Sequence, residues 1–389
     1  MPNKFDKRAL LTFNAGFLSS RIGEWLYTLA LNWLVLLGTS SPLLLAVINA
    51  CRLLPALVLS VPAGKLADRS ERKRVNTIVA VLNALVVALT GLVFYFQLPF
   101  TLCAVLVVAR AAITAAEAPM RNALLCGVLS GDRLKSVVAQ NASIMNVGRI
   151  LGPLLAGFSL AHFGGVATFL IATVFCAGYA VALACLDACP VAPARPRCRR
   201  ERVSIRKDLA AQPELSRLFI FALPIMFFGF SHTAMLPLFA DLVLKAGAEE
   251  LGYLMSISAL GALLASSFLS TSPDKVHWQS LRRDSLLFGS TLTLFAFSGS
   301  FWAAALALFA VGFFGQAYRT SSRMMFQDLV PKEAAGRFMG LALMDRGMIP
   351  LGALFIGLVA EFCGARMGFV VMGLGSVISV LLLTSARGK

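Results

Sequence analysis

The chain has 389 residues, of which 58% are hydrophobic and only 14% charged, with a mean hydropathy of +0.79. A soluble domain carries roughly a quarter charged residues, so this composition excludes water as the main solvent of the folded chain. A net charge of +16 invites a nucleic-acid partner, but the basic residues are segregated into alternate loops, and no nucleic acid is expected. Apolar runs of about 20 residues, each enough to cross a hydrocarbon core of roughly 30 Å, recur along the chain. They predict spans at Leu10–Leu37, Leu43–Ala63, Val75–Phe96, Phe100–Met120, Ser136–Leu160 and Val166–Leu186. After a polar interval follow Arg217–Ala240, Leu251–Ser270, Asp284–Ser298, Phe301–Arg319, Arg337–Ala360 and Arg366–Thr384. Membrane strands would need about 10 residues of strict alternation, which these runs lack. The expected fold class is an all-α membrane protein with about twelve transmembrane helices. The first run is too long for a secretory signal, contains Arg21 and Glu24, and is followed by no small-residue cleavage site.

Charge orients the spans. Lys4, Lys7 and Arg8, then Lys65, Arg69, Arg72, Lys73 and Arg74, then a dense run from Arg195 to Lys207, all fall on one side, against chiefly Lys245 and Arg366 on the other. Loops rich in Lys and Arg stay in the cytoplasm, which puts both termini and the central loop there, in a bacterial inner membrane whose anionic lipid is a partner of the basic loops. Cys51, Cys103, Cys126, Cys176 and Cys363 lie in or beside apolar spans, where free cysteine behaves as a small hydrophobe. Cys185, Cys189 and Cys198 have no zinc spacing. No metal and no cofactor are expected.

The polar interval Asp187–Gln212, rich in Pro, Arg and Ala, divides the chain into residues 1–187, a basic linker loop at 188–215, and residues 216–389. The halves match at a shift of 200 residues. Gly152, Gly157 and Gly164 correspond to Gly352, Gly357 and Gly364, with Pro153 or Pro350 beside the first glycine. Two pseudo-symmetric six-helix bundles are therefore expected, an architecture used by transporters with a solute site near the membrane midplane.

Between the second and third spans runs Gly64-Lys-Leu-Ala-Asp68-Arg69-Ser-Glu-Arg72-Lys73-Arg74. Gly64 permits close helix approach. Asp68 suits the positive end of a helix, and Arg72 suits an acid at a helix end, for which Glu117 is the candidate. Together they would form a conformational latch. The stretch resembles the signature loop of the major facilitator superfamily, with Glu71 standing where that signature has its second glycine. In the fifth span, Gly148-Arg-Ile-Leu-Gly152-Pro153-Leu-Leu-Ala-Gly157 resembles the glycine-proline motif of antiporters in that family. Its small residues at four-residue spacing allow backbone-to-backbone packing, and the proline bends the helix. Ser20-Arg21-Ile-Gly23-Glu24-Trp25 and Gln327-Asp-Leu-Val-Pro331-Lys-Glu-Ala-Ala-Gly336-Arg337-Phe-Met-Gly340 resemble the branch holding macrolide-efflux and enterobactin-type siderophore exporters.

A charge at bilayer depth costs roughly 2.5–3.5 kcal/mol even on mild insertion scales, so each one needs a reason. Arg21, Arg52, Arg110, Arg149 and Arg346 qualify by position, against Glu24 and Asp345. The resemblance implies that spans one, four, seven and ten line a central cavity, which brings Glu24, Arg110 and His232 into the candidate site. Glu24 is the first candidate for a proton carrier and Asp345 the second; His232 titrates in a useful range. The excess of arginine favours an anionic or zwitterionic small molecule. No nucleophile elbow, P-loop, paired-histidine metal motif or glycine-rich nucleotide loop occurs in the sequence, so neither an enzyme nor ATP-driven transport is expected. What the resemblance implies is a secondary active transporter: a proton-coupled exporter of a small organic molecule such as a siderophore or drug, working as a monomer. An importer or uniporter of a small anionic metabolite on the same fold is the alternative.

Overall fold

The computed structural model describes residues 7–69, 72–129, 131–186, 212–270, 277–330 and 347–385. They are helical almost throughout: α1 (Lys7–Thr39), α2 (Pro42–Arg69), α3 (Arg72–Tyr95), α4 (Phe100–Ala115), α5 (Glu117–Val128) and α6 (Gly131–Cys185). After the central interval come α7 (Pro213–Pro224), a π-helical turn (Ile225–Gly229) and α8 (His232–Leu242). The chain ends in α9 (Ala248–Ser270), α10 (Trp278–Ala296), α11 (Phe301–Leu329), α12 (Met348–Cys363) and α13 (Ala365–Ser385).

These helices follow the apolar runs, with four differences. The fourth span breaks at Ala116 into α4 and α5. The fifth and sixth spans continue as α6 through a sharp bend at Gly164, whose φ of 79° and ψ of 175° are not helical. The seventh is interrupted by the π-helical turn, just after Pro224. The ninth begins already at Trp278. Of the eleventh, residues 337–346 lie outside the described residues.

The helices have the inverted amphipathicity that a bilayer selects. On α3, Asn76, Asn83 and Thr90 recur every seven residues and are buried, while Ile78, Leu82, Leu85, Leu89 and Leu92 form an exposed stripe. Water would reverse that arrangement, whereas lipid accepts the leucines and leaves polar groups to find partners inside the protein. Asn76 does so, donating from Nδ2 to Tyr179 Oη at 3.4 Å. Among the described residues, seven helical stretches are long and apolar enough to cross a membrane, including Lys73–Tyr95, Phe100–Cys126 and Gly131–Cys185.

Two compact units form. The first comprises Met1–Leu34 and Cys51–Cys198, the second Val35–Ala50 and Arg199–Lys389. In the first, α3 packs along α6, and α1 is seated on α6 through glycines. Gly16 abuts Tyr179 and Ala182, Gly23 abuts Ala172 and Cys176, and Gly148 and Gly152 abut Arg21 and Trp25. In the second, α9 packs on α11 and α10 on α11 and α13, with Phe239, Phe295 and Phe369 meeting in tilted and edge-to-face contacts, centroids 4.4–5.2 Å apart. The sequence repeat is also a repeat of contacts. Gly152 seats α6 on α1, and Gly352 seats α12 on Phe227 and Ser231 of the interrupted seventh span. Gly164 and Gly364 adopt the same left-handed backbone, φ 79° and 87°, that glycine alone takes without strain.

The α1–α2 hairpin tip is anchored within the second unit by a carboxylate. Glu361 Oε2 accepts hydrogen bonds from Ser41 Oγ at 2.8 Å and from the Leu43 N–H at 3.0 Å, so α12 supplies an anionic cap to the N-terminal turn of α2. Glu361→Ala is expected to lower stability by about 1 kcal/mol, the usual worth of such a cap, and Glu361→Gln by less. Thermal unfolding of both variants in detergent checks the order.

Candidate functional site

Charged residues at bilayer depth converge on one face of α1, where Arg21, Glu24 and Thr28 recur at three- and four-residue spacing with Tyr27 beside them. The Arg21 guanidinium forks between two acids, with Nη1 2.6 Å from Glu24 Oε2 and Nη2 2.6 Å from Glu117 Oε1. Arg121 reaches the same Glu117 oxygen at 3.3 Å from one turn further along α5. Both guanidinium groups lie over the ring of Phe17, at 5.3 Å for Arg21 and 4.2 Å for Arg121. The break at Ala116 puts Glu117 in the first turn of α5, where the helix's free N–H groups favour an anion.

Two more arginines approach α1 one turn beyond Glu24. Arg110, on α4, stacks on Tyr27 with its Cζ 4.0 Å from the ring centroid, a contact worth about 1–2 kcal/mol when desolvated. Arg52, on α2, donates from Nη1 to Thr28 Oγ1 at 2.9 Å. The two acids differ in access. The Glu24 side chain is 40% exposed, those of Arg21 and Glu117 only 18% and 9%. Glu24 is therefore the more accessible carboxylate, held by a half-buried arginine, and Glu117 is an interior counter-ion.

The glycines of the fifth-span motif build this arrangement. A Cβ at Gly148 would collide with Arg21 Cβ, and one at Gly152 with the Trp25 side chain, so the motif sets the height and closeness of the charged stretch. Pro153 and Gly157 continue it as buried residues of α6. Arg149, next to Gly148, makes no ion pair or hydrogen bond among the described residues.

Other expected site residues lie elsewhere. His232 belongs to the second unit, buried, with Nδ1 donating to the Gly229 carbonyl at 2.7 Å and its ring beside Phe230 and Phe288. Ser231 Oγ lies 2.6 Å from the Phe227 carbonyl and 3.1 Å from that of Ile349, which ties the π-helical turn to α12. Asp345 and Arg346 lie outside the described residues. Of the latch residues, Gly64, Asp68 and Arg69 fall in the last turns of α2 and Arg72 opens α3, and their side chains too lie outside the described residues. Glu117, the expected partner of Arg72, is engaged by Arg21 and Arg121. Arg121 and Tyr27 were missed in the sequence. The signal for Arg121 was present, since a basic residue four after an acid on a helix is the ordinary ion-pair spacing.

The Major Facilitator Superfamily matches this sequence over residues 13–344, and the chain belongs to that family of membrane transporters. It is 30% identical over 371 residues to the staphyloferrin A transporter of Staphylococcus aureus, covering 94% of this chain and 92% of that protein. Over 169 residues, 41% of each chain, it is 31% identical to the multidrug efflux pump Tap of Mycolicibacterium fortuitum. Its fold matches a bacterial homologue of the human lysosomal transporter Spinster, at TM-score 0.77 and 15% identity over 100% of this chain and 98% of that one. The nucleoside transporter NupG also gives 0.77, at 14% identity over 98% and 99%. The protein is thus a multi-pass membrane transporter with no enzymatic activity, in a family that moves small molecules.

Proposed function

We propose that the protein is a proton-coupled exporter of a small anionic organic molecule, of siderophore or drug type, in a bacterial inner membrane with both termini cytoplasmic. The observation that carries this reading is the Arg21–Glu24–Glu117–Arg121 cluster, in which one carboxylate alone is substantially exposed. Glu24 can take a proton and release Arg21, or lose it and recapture Arg21, without exposing the interior pair of Glu117 and Arg121. Ion pairs that can be traded for a proton at bilayer depth are what a transporter needs to couple a gradient to a change of shape. The similarity to a siderophore transporter and to multidrug efflux pumps supports the solute class and the direction. The segregation of Lys and Arg supports the orientation.

The latch remains part of the reading: Asp68 at the end of α2 and Arg72 at the start of α3 hold one conformation through helix-end charge. The test uses purified protein in proteoliposomes with an imposed pH gradient. Solute should accumulate against its own gradient only when protons flow the other way, and Asp68→Asn should lower the rate severalfold at equal incorporation. Accumulation that follows the solute gradient regardless of pH would make the protein a uniporter. An unchanged rate in Asp68→Asn would reduce the loop to an orientation signal.

A further inference from the structure

We infer that the transported solute carries at least two carboxylate groups, one received by Arg110 and another by Arg149. This deepens the anionic-solute reading above and rests on it. The first support is the charge balance at bilayer depth in the first unit. Arg21 and Arg121 are matched by Glu24 and Glu117 through ion pairs of 2.6–3.3 Å. Arg52, Arg110 and Arg149 come in addition; Arg52 is bonded to Thr28, while among the described residues neither Arg110 nor Arg149 has a carboxylate within ion-pairing distance or a hydrogen-bond partner. A guanidinium cannot shed its proton in a protein, so Arg110 and Arg149 keep their charges in a region where charge is costly. An arriving dianion would neutralise both.

The second support is the way Arg110 is held. The residue is 4% exposed, and its Nε is buried with no hydrogen-bond partner. Its guanidinium is stacked on Tyr27, so one face is fixed and the donor edge is left to a ligand. A stacked, planar fork matches the planar, bidentate geometry of a carboxylate. Glu24 does not serve it as an ion-pair partner, since Glu24 is engaged by Arg21 one turn back along α1.

The third support is spacing. Gly148 abuts Arg21, which sets Arg149 at the level of Arg21, while Tyr27 holds Arg110 six residues further along α1. Six residues of helix rise about 9 Å. Two cationic anchors at different depths suit an elongated solute with separated acids better than a compact single anion.

The test is direct binding to the full chain in detergent, read as thermal stabilisation at matched ionic strength, with butyrate, glutarate and tricarballylate as probes of one, two and three carboxylates. Tricarballylate and glutarate should stabilise the protein well beyond butyrate. Arg110→Gln and Arg149→Gln should each weaken tricarballylate binding about ten- to a hundredfold, the range for losing a charge-assisted hydrogen bond to a buried group. Arg110→Lys, which keeps the charge and loses the fork, should fall between and serves if Arg110→Gln does not fold. Butyrate binding as tightly as tricarballylate, or both glutamine variants binding it at wild-type affinity, would overturn the inference. The assay contains no gradient, so failed proton coupling leaves its outcome untouched. Uphill export of a singly charged anion together with no binding of glutarate or tricarballylate would sink the inference alone.

Discussion

Glu117→Ala is expected to destabilise the first unit by about 3–5 kcal/mol, the cost of removing one partner from a buried ion pair. Glu117 is the counter-ion of two arginines, Arg21 at 2.6 Å and Arg121 at 3.3 Å. Without it Arg121, 11% exposed at its side chain, keeps only the ring of Phe17, and a cation–π contact of about 1–2 kcal/mol does not replace a carboxylate. Arg21 keeps Glu24 and is less affected. The unfolding temperature in detergent should fall on the order of 10 °C. Glu117→Gln, which retains an acceptor, should fall less, and adding Arg121→Gln to it should recover part of the loss because the stranded charge goes with it. A wild-type unfolding temperature in Glu117→Ala would show that the cluster is solvated, and the counter-ion role would be lost.

Much of this organisation was legible in the residues, because a bilayer imposes length and polarity on every span. Helices follow the apolar runs among the described residues, and the glycine repeat reappears as paired contacts at Gly152 and Gly352 and paired left-handed turns at Gly164 and Gly364. The Arg21–Glu24 pair was legible from three-residue spacing, and the ion pair is present at 2.6 Å. What was not legible required partners far apart in the chain. Glu117 looked available to Arg72 because both sit near helix ends, yet Arg21, 96 residues away, meets it. Nothing local announces that Glu361 caps α2 at Leu43, 318 residues distant. The break at Ala116 is explained by Pro119, which has no N–H for the Ala115 carbonyl, a signal masked by the apolar run that continues through it. The turn after Pro224 could have been suspected from that proline, since a missing N–H often opens a helix toward a wider turn.

The second large effect is on coupling. Glu24 is the more accessible acid in the cluster, and its hydrogen bond to Arg21 is the one a proton would displace. With Glu24→Gln, Arg21 keeps Glu117, so the unit stays folded and the solute-binding arginines stay in place. Only the titration disappears. Uphill transport should then drop at least a hundredfold, while exchange of solute for solute, which needs no net proton movement, should continue near the wild-type rate. Asp345→Asn, the parallel variant for the second candidate carrier, should retain uphill transport. The measurement is proton-driven uptake and solute counterflow in proteoliposomes holding equal amounts of wild-type and Glu24→Gln protein, under the same imposed pH gradient. Loss of uphill transport with counterflow preserved is the result expected of Glu24 as the proton carrier; concentration of solute by Glu24→Gln at the wild-type level would contradict it.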